Sequence, residues 1–291
     1  MIVYLNGKYL GASAAKIPVW DGGFLYGDGI YTTLRLYGGR PVDLAAHYLR
    51  LKNHSSALDL PLPLTETDFL DIAHRLAAAN DLESADGRMR ITISRGGDPD
   101  NPFPLQGLEN IAPTVLVTLT PVGRDLDRWQ TEGIPVITLD ASYARGNSPE
   151  LKTLNSLATL RALRRAAAEG CPEAILSDTA GHLLEGAISN LFLVAADKLL
   201  TPALTGGFLA GRTRERILAI AAAENITVRE KDLDRRHLEA ACEVFMASSV
   251  REVVPVISID GAPVGNGLPG EVTRRIQDRY RRTIEADLSR S

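Results

Sequence analysis

The chain has 291 residues, of which 45% are hydrophobic and 23% are charged, and its net charge is −4. This length is enough for one large or two medium domains, and the composition is that of an ordinary soluble globular protein. There is no basic excess to indicate binding to nucleic acid or to an anionic membrane. Two cysteines make neither a disulfide framework nor a metal cluster, so a reducing, cytoplasmic location is expected.

The first part of the chain predicts a small α/β domain, residues 1–120. It opens with short strands broken by glycine-containing turns, the first of them a hairpin at Asn6-Gly7. Thr65 is predicted to cap a helix, because acidic residues follow it in the first turn. After the opening strands, helices are predicted at 44–58 and 65–79, and strands at 88–94 and 113–120.

The polar segment 121–133 lacks strand alternation and is predicted to be the interdomain linker. Residues 134–291 are predicted to form a larger second domain of mixed strands and helices. A doubly wound sheet would need regular alternation of strands and helices, which is missing, so the fold class expected is α+β. The predicted strands of this domain lie at 134–139, 173–176, 190–194, 243–246 and 252–258. Predicted helices lie at 213–224, 238–241 and 269–288, and a further helix follows Lys152, with Leu157, Leu160 and Leu163 on one side and Gly170 at its far end.

Several kinds of site are excluded by missing patterns. The N-terminus has no basic region or cleavage site of a signal peptide, and the longest apolar run, 217–223, is far shorter than the ~20 residues of a membrane span. The five histidines show no paired spacing for a metal, so no metal site is expected. The GxxxxGK[ST] phosphate loop and the GxSxG nucleophile turn are both missing.

Lys152 lies between a predicted strand and a predicted helix, for which Asn155 or Thr153 is the expected cap. The N-terminus of a helix carries partial positive charge, which disfavours an ammonium group. A lysine that attacks a carbonyl must be neutral for part of the time. A solvated surface lysine is the alternative, and position alone does not exclude it.

Four other features could act together with such a lysine. Gly211-Arg-Thr213 at the start of a helix could bind a phosphate, or Thr213 could simply be a helix cap. Ser248 and Ser249 follow a predicted strand and could bind the same group, although such pairs are commonly turn formers. Glu185 and Arg50 could meet a ligand, or each could be a solvated charge on the surface.

In their order and spacing these residues resemble the class IV aminotransferase family, the fold type IV pyridoxal-phosphate enzymes. That family contains branched-chain aminotransferases, D-amino-acid aminotransferases and aminodeoxychorismate lyases. The resemblance covers nearly the whole chain, from residue 6 to residue 273. It implies a two-domain α+β architecture, with a small N-terminal α/β domain and a larger, β-barrel-like C-terminal domain with helices. It also implies a homodimer and pyridoxal 5′-phosphate as the cofactor.

The resemblance assigns roles to individual residues. Residues 47–51 resemble a helix motif whose arginine, here Arg50, binds the cofactor phosphate. Residues 151–155 resemble the segment of the Schiff-base lysine, so Lys152 is the implied catalytic residue. Residues 185–192 resemble the motif whose glutamate, here Glu185, meets the pyridine nitrogen. The other residues implied to bind the cofactor are Ser189, Leu209, Arg212, Thr213, Ser248 and Ser249.

Substrate contacts are predicted at Tyr26, Tyr31, Arg35 and Arg251. Arg35 could hold a substrate carboxylate, and it could equally form a structural ion pair. The implied activity is transfer of an amino group between an amino acid, either a branched-chain L-amino acid or a D-amino acid, and a 2-oxo acid.

Two other activities stay open at this stage. Residues 186–190 and 248–252 resemble somewhat more closely the aminodeoxychorismate lyases of the family, which release pyruvate and 4-aminobenzoate. A non-catalytic metabolite-binding protein with the same fold is the more remote alternative. A pure binding protein needs no Schiff-base lysine, so the set of Lys152, Glu185 and Arg50 argues against it.

Four positions depart from the family patterns that would identify a substrate. Ser156 and Thr32 stand where branched-chain enzymes commonly carry a tyrosine and a glutamate. Asp100 and Pro102 stand where D-amino-acid aminotransferases carry an arginine and a histidine that hold the substrate carboxylate. The choice between L- and D-amino acids is therefore left open by the sequence.

Overall fold

The computed structural model describes residues 1–101, 103, 106–143, 150–206 and 208–290. The chain divides into two compact units. The first comprises Met1–Val122 and Leu151–Asn155, and the second comprises Gly123–Glu150 and Ser156–Ser291. The expected division into domains 1–120 and 134–291 with a linker stays a prediction.

The first unit is built on an antiparallel sheet of six strands. Its strands are β1 (Ile2–Leu5), β2 (Lys8–Gly11), β3 (Gly29–Tyr37), β4 (Arg40–Pro41), β5 (Gly87–Ser94) and β6 (Thr114–Pro121). Its α-helices, among the described residues, are α1 (Gly22–Tyr26), α2 (Leu44–Ala57) and α3 (Glu66–Ala79). The strands lie in the order β2-β1-β6-β5-β3-β4, and every neighbouring pair is antiparallel.

One face of this sheet is covered by helices because the strands alternate between apolar and polar residues. Leu34 and Leu36 of β3 and Ile91 of β5 are fully buried, and they belong to one core with Phe69 and Leu76 of α3. Residues at the positions between them project from the opposite face, where they are only half-buried or exposed. The opposite face is therefore the less buried of the two.

Two local predictions for this unit are confirmed. The hairpin turns at Asn6-Gly7, with Leu5 paired to Lys8. Thr65 caps α3, because its hydroxyl accepts a hydrogen bond from the amide of Asp68 at 3.2 Å. The carboxylate of Asp68 accepts in turn from the Thr65 amide at 2.7 Å.

The segment Leu151–Asn155 belongs to the first unit although the chain on either side of it belongs to the second. Thr153 forms an isolated antiparallel bridge with Ile30 of β3. A methyl group added at Gly29 would lie 2.7 Å from the Leu154 side chain, so the glycine permits this close approach. The segment Leu151–Asn155 thus packs against strand β3.

The second unit contains a mixed sheet of nine strands. They are β7 (Ile134–Leu139), β8 (Glu173–Ser177), β9 (Leu183–Gly186), β10 (Asn190–Ala195), β11 (Lys198–Pro202), β12 (Thr227–Lys231), β13 (Glu243–Ser248), β14 (Glu252–Ile259) and β15 (Ala262–Pro263). The described α-helices of this unit are α4 (Leu126–Glu132), α5 (Leu157–Ala168), α6 (Arg212–Ala223), α7 (Arg235–Glu239) and α8 (Glu271–Arg290).

The sheet of the second unit curls back toward itself. Its order is β12-β11-β10-β13-β14-β7-β8-β9, with β15 paired to β14. The end strand β9 also contacts β10 and β11, without a paired ladder among the described residues. Phe192 of β10 and Phe245 of β13 are fully buried, and their rings stack with centroids 4.8 Å apart. This arrangement confirms the α+β fold class and agrees with a barrel-like second domain.

Three local features differ from the sequence-based predictions. Ser156 is the N-cap residue of α5, and it makes no side-chain cap hydrogen bond, so the prediction of Asn155 or Thr153 as the cap is wrong. The reason is that Leu151–Asn155 stays extended along β3. The segment predicted as a linker contains the helix α4, with Leu126 and Gln130 buried. Residues 22–26 form a short helix, because the Asp21 carboxylate accepts from the Gly23 amide at 2.8 Å.

Among the described helices, none combines the length and the apolar character that crossing a membrane requires. In the part of the chain that the structure describes, no three His, Cys, Asp or Glu side chains come together as metal ligands would. Cys171 and Cys242 are free thiols, the first buried and the second exposed.

Candidate active site

The candidate residues fall in both units, and each set is described within its own unit. Lys152 belongs to the first unit and is held at its backbone from two sides. Its carbonyl oxygen accepts from the Tyr31 amide at 2.9 Å, and its own amide lies 3.2 Å from Nδ1 of His54. Its Nζ lies 4.7 Å from the centroid of the Tyr31 ring. Lys152 is therefore a half-buried lysine in a fixed place, which differs from a freely solvated surface lysine.

Arg50 projects from α2 toward β3 and is positioned by two buried side chains. Its Nη2 donates to the Thr32 hydroxyl at 2.7 Å and lies 3.1 Å from Nδ1 of His47. The Thr32 hydroxyl oxygen lies 2.7 Å from Nδ1 of His47, and both residues are almost fully buried. The Thr32 hydroxyl is a neutral acceptor that orients the guanidinium. A glutamate at position 32 would instead form an ion pair with it. The Arg50 guanidinium is thus held in a fixed orientation between α2 and β3.

Two of the predicted substrate residues of this unit lie in different environments. Arg35 forms an ion pair with Asp86, with Nη2 and Nε of the arginine 2.6 and 3.2 Å from one carboxylate oxygen. This is the structural alternative considered for Arg35, and a substrate role for it stays a prediction. Tyr26 is exposed, and its ring meets that of Phe103 edge to face at 5.1 Å. Pro102, one of the positions that depart from the D-amino-acid pattern, lies outside the described residues, while Asp100 is exposed.

Tyr31 of β3 contacts two cationic side chains. Besides the ammonium of Lys152, its ring contacts the guanidinium of Arg90, whose Cζ lies 3.7 Å from the centroid. Arg90 was missed by the analysis of the sequence. The available signal was its place in a strand in which apolar residues alternate with Arg88, Arg90 and Thr92.

In the second unit, Asn190 joins the segments that carry the predicted phosphate ligands. It pairs with Ala247 at the end of β13, next to Ser248. Its side-chain amide donates to the carbonyl of Leu209 at 3.1 Å. A methyl group added at Gly211 would lie only 1.9 Å from its Oδ1. The loop 209–211 is therefore packed against the ends of β10 and β13.

The start of α6 has the donors that a phosphate group needs. Gly211 precedes the helix and provides no side-chain cap, so the first amides have no capping acceptor from it. Nε of Arg212 is buried and has no hydrogen-bond partner among the described residues. Thr213, the second residue of α6, carries a hydroxyl and is 2% exposed. Because backbone amides, a hydroxyl and a guanidinium all donate to phosphate oxygens, this donor set fits the phosphate of pyridoxal phosphate.

Glu185 lies in β9 and is 4% exposed, which differs from the solvated glutamate considered as its alternative. The amide of the next residue, Gly186, donates to the carbonyl of Ser189 at 2.7 Å and closes a tight turn. The Ser189 hydroxyl donates to a carboxylate oxygen of Glu173 at 3.1 Å. The turn between Glu185 and Ser189 is therefore anchored to the fully buried Glu173, another residue that sequence analysis missed.

Arg251 faces the same buried carboxylate. Its Nη1 lies 3.3 Å from Oε2 of Glu173, and its guanidinium lies 4.9 Å from the ring of Trp129. Burial raises the pKa of Glu173, while the charge of Arg251 and the hydrogen bond from Ser189 oppose that shift. Burial also lowers the pKa of Arg251, and the negative charge of Glu173 opposes that shift. The guanidinium is thus occupied by a structural ion pair, and a substrate role for Arg251 stays a prediction.

Replacing Gly211 by alanine is expected to disturb this loop. The new methyl group would displace the Asn190 side chain and break its hydrogen bond to Leu209, at a cost of about 1–3 kcal/mol in the free energy of unfolding. Urea unfolding measures the change. Gly123→Ala is the matched control, because a methyl group there meets nothing within 4 Å. Equal stability of the two variants would contradict the packing described for Asn190.

Comparisons with known proteins agree with this fold and these residues. The model of the amino-transferase class IV family matches residues 29–259. A putative branched-chain-amino-acid aminotransferase of Methanocaldococcus jannaschii is 32% identical over 286 residues, which are 97% of this chain and 96% of that protein. A D-alanine aminotransferase of Staphylococcus haemolyticus is 30% identical over 289 residues, covering 99% of both chains. The crystal structure of Escherichia coli branched-chain amino acid aminotransferase superposes with a TM-score of 0.86 at 29% identity, covering 96% of this chain and 93% of that one.

The fold and the donor set define an α+β enzyme of the transaminase class. The chain belongs to the class IV aminotransferase family, whose members are pyridoxal-phosphate enzymes. The similar proteins include both branched-chain and D-alanine aminotransferases. They do not favour the lyase that was kept as an alternative.

Proposed function

We propose that this protein transfers an amino group between an amino acid and a 2-oxo acid, with pyridoxal 5′-phosphate held covalently by Lys152. The observation that carries the proposal is the placement of Lys152. Its backbone is bound by Tyr31 and lies against His54, and its ammonium lies over the Tyr31 ring. Such a lysine can lose and regain a proton at Nζ without leaving its place.

The bound cofactor supplies the acceptor for the electrons that are released when the substrate loses its α-proton. The residues of this chain then divide the remaining work. The phosphate would be bound by the guanidinium of Arg50 and by the backbone amides of Arg212 and Thr213. It would also accept from the hydroxyls of Thr213, Ser248 and Ser249. Glu185, held nearly free of solvent, would keep a proton on the pyridine nitrogen. Leu209 would pack on the ring, and Ser189 would hold the turn that carries Glu185. Nζ of Lys152 would carry the proton between the α-carbon of the substrate and the cofactor.

The substrate proposed is a branched-chain L-amino acid or a D-amino acid, together with a 2-oxo acid as acceptor. The named relatives support both possibilities, since they include branched-chain and D-alanine aminotransferases. Ser156 and Thr32 differ from the branched-chain pattern, and Asp100 differs from the D-amino-acid pattern. A direct test with both enantiomers is therefore required.

The visible absorption of the purified protein with pyridoxal phosphate gives that test. A yellow band that is bleached by single L- or D-amino acids, and restored by a 2-oxo acid, is expected, and the effective donor identifies the substrate class. Formation of 4-aminobenzoate from aminodeoxychorismate without a 2-oxo acid would instead establish the lyase. If no band forms with added pyridoxal phosphate, the proposed function is wrong.

We further propose a homodimer in the cytoplasm. Exposed apolar side chains are concentrated in residues 17–26, where Val19 and Phe24 are each 70% exposed, and a second copy of the chain would cover them. Both cysteines are free thiols, in keeping with a reducing compartment. Sedimentation velocity measures the mass, and Phe24→Asp is expected to shift a dimer toward monomer.

A further inference from the structure

The backbone of Lys152 is bound on two sides, by a strand and by a helix of the first unit. Its carbonyl oxygen accepts from the Tyr31 amide of β3 at 2.9 Å. Its amide donates to Nδ1 of His54, a residue in the last turn of α2, at 3.2 Å. The amide of Leu154 in the same segment donates to the carbonyl of Gly29 at 2.9 Å. The segment is thus paired with β3, and His54 connects the lysine to α2.

The hydrogen bond from Lys152 fixes the protonation state of His54. An imidazole nitrogen accepts a hydrogen bond only when it carries a lone pair, and a doubly protonated ring has none. The Lys152 amide is directed at Nδ1, so this nitrogen is unprotonated and the ring is neutral, with its hydrogen on Nε2. A histidine near the C-terminus of a helix commonly stabilises the helix as a cation. His54 therefore has a different role in this contact.

Helix α2 also carries Arg50, the proposed phosphate ligand. Arg50 lies four residues before His54, and residues four apart lie on the same side of a helix, about 6 Å apart along its axis. The guanidinium is oriented by the Thr32 hydroxyl at 2.7 Å. The phosphate and the aldehyde carbon of pyridoxal phosphate are carried by the same ring. One helix therefore holds both a ligand for the phosphate and the side chain that contacts the reacting lysine.

We propose that His54 positions Lys152 for its reaction with the aldehyde carbon of the cofactor, by accepting the hydrogen bond of the Lys152 amide. This inference rests on the proposed function, because it takes Lys152 as the reacting amine. In that reaction the amine nitrogen replaces the aldehyde oxygen, which leaves as water with the two amine hydrogens. A displacement of about 1 Å between reacting groups can lower a rate about 100-fold. His54 acts through the backbone of Lys152, so it is a positioning residue.

Two variants of nearly equal shape isolate the hydrogen bond. His54→Asn keeps an acceptor, because its Oδ1 is bonded to Cγ as Nδ1 is in histidine. His54→Leu has the same branching as the asparagine variant but carries no hydrogen-bonding group. The matched control is His74→Leu, which removes an exposed histidine from α3 of the same unit.

The first measurement is made on the full-length protein without cofactor. Hydrogen exchange of the Lys152 amide, followed by NMR, reports the hydrogen bond directly. His54→Leu is expected to accelerate this exchange by about 3- to 10-fold, which is the effect of losing one hydrogen bond. His54→Asn and His74→Leu are expected to stay within about twofold of the wild type. Wild-type exchange in His54→Leu would overturn the inference.

The second measurement is the rate at which Lys152 bonds to pyridoxal, which lacks the phosphate and so does not involve the phosphate ligands. Borohydride reduction and peptide mass analysis confirm that Lys152 is the residue modified. His54→Leu is expected to slow the reaction by about 10- to 100-fold, and His54→Asn to recover most of the rate. Equal slowing in both variants would assign His54 a packing role only and would also overturn the inference.

A failure of the proposed function would look different. The wild type would then form no absorption band with pyridoxal phosphate, while exchange of the Lys152 amide would still distinguish His54→Leu from His54→Asn.

Discussion

Lys152→Ala is expected to lower the rate of amino-group transfer by about 10²- to 10⁴-fold, the range that a positioned proton-transfer group contributes. The variant lacks the only atom of this segment that can both bond the cofactor and move a proton. Because the backbone of Lys152 makes the contacts with Tyr31 and His54, its alanine variant should keep the segment docked. The measurement is the rate at which a 2-oxo acid is formed from a single amino acid.

A matched control is Lys198→Ala, which removes an exposed lysine from β11. Borohydride reduction followed by peptide mass analysis should find the cofactor on the peptide that contains Lys152 in the wild type and in the control. In Lys152→Ala it should find no modified peptide. Retention of wild-type rates in Lys152→Ala, or modification of a different lysine, would remove Lys152 from the proposed mechanism.

The second large effect is expected at Arg50. Arg50→Ala should weaken the binding of pyridoxal phosphate to the cofactor-free protein by about 10- to 100-fold, because it removes a charge-assisted donor from the phosphate. Arg50→Lys should recover only part of this loss, since an ammonium cannot reproduce the planar fork that Thr32 and His47 orient. Equilibrium titration followed by absorbance measures both dissociation constants.

Binding of pyridoxal, which lacks the phosphate, shows whether Arg50 acts on the phosphate or only stabilises the structure. The affinity for pyridoxal should be the same in Arg50→Ala as in the wild type. Lys52→Ala, an exposed residue in the same helix, should leave both affinities unchanged. If Arg50→Ala weakens pyridoxal and pyridoxal phosphate by the same factor, Arg50 does not act on the phosphate.

Much of the first unit was predictable because its signals are local. Strict alternation in β3 and β5, with Leu34 and Ile91 buried, reflects the two-residue period of a strand. The cap at Thr65 and the turn at Asn6-Gly7 depend on hydrogen bonds and dihedral angles within a few residues. The family resemblance likewise depended on short motifs in a fixed order, and the comparison with known proteins confirmed it.

Polar partners that are distant in the chain were not predictable. Glu173 at the head of an apolar strand gave no sign that it would meet Arg251, 78 residues later. The contact of Asn190 with Leu209 depends on how the loop before α6 packs, which no neighbouring residue indicates. Similarly, nothing local distinguished Arg35, which pairs with Asp86, from Arg90, which has no carboxylate beside it among the described residues.

The sequence by itself determined the α+β class, most helices and strands, and the family with its candidate lysine. Those properties follow from local periodicity, capping and motif order, all of which are written in neighbouring residues. Only the tertiary structure decided that Leu151–Asn155 leaves the second unit to dock on β3, and that Lys152 and Arg90 share the ring of Tyr31. The physical reason is that a side chain's charge partners are set by packing between distant segments, which local sequence does not encode.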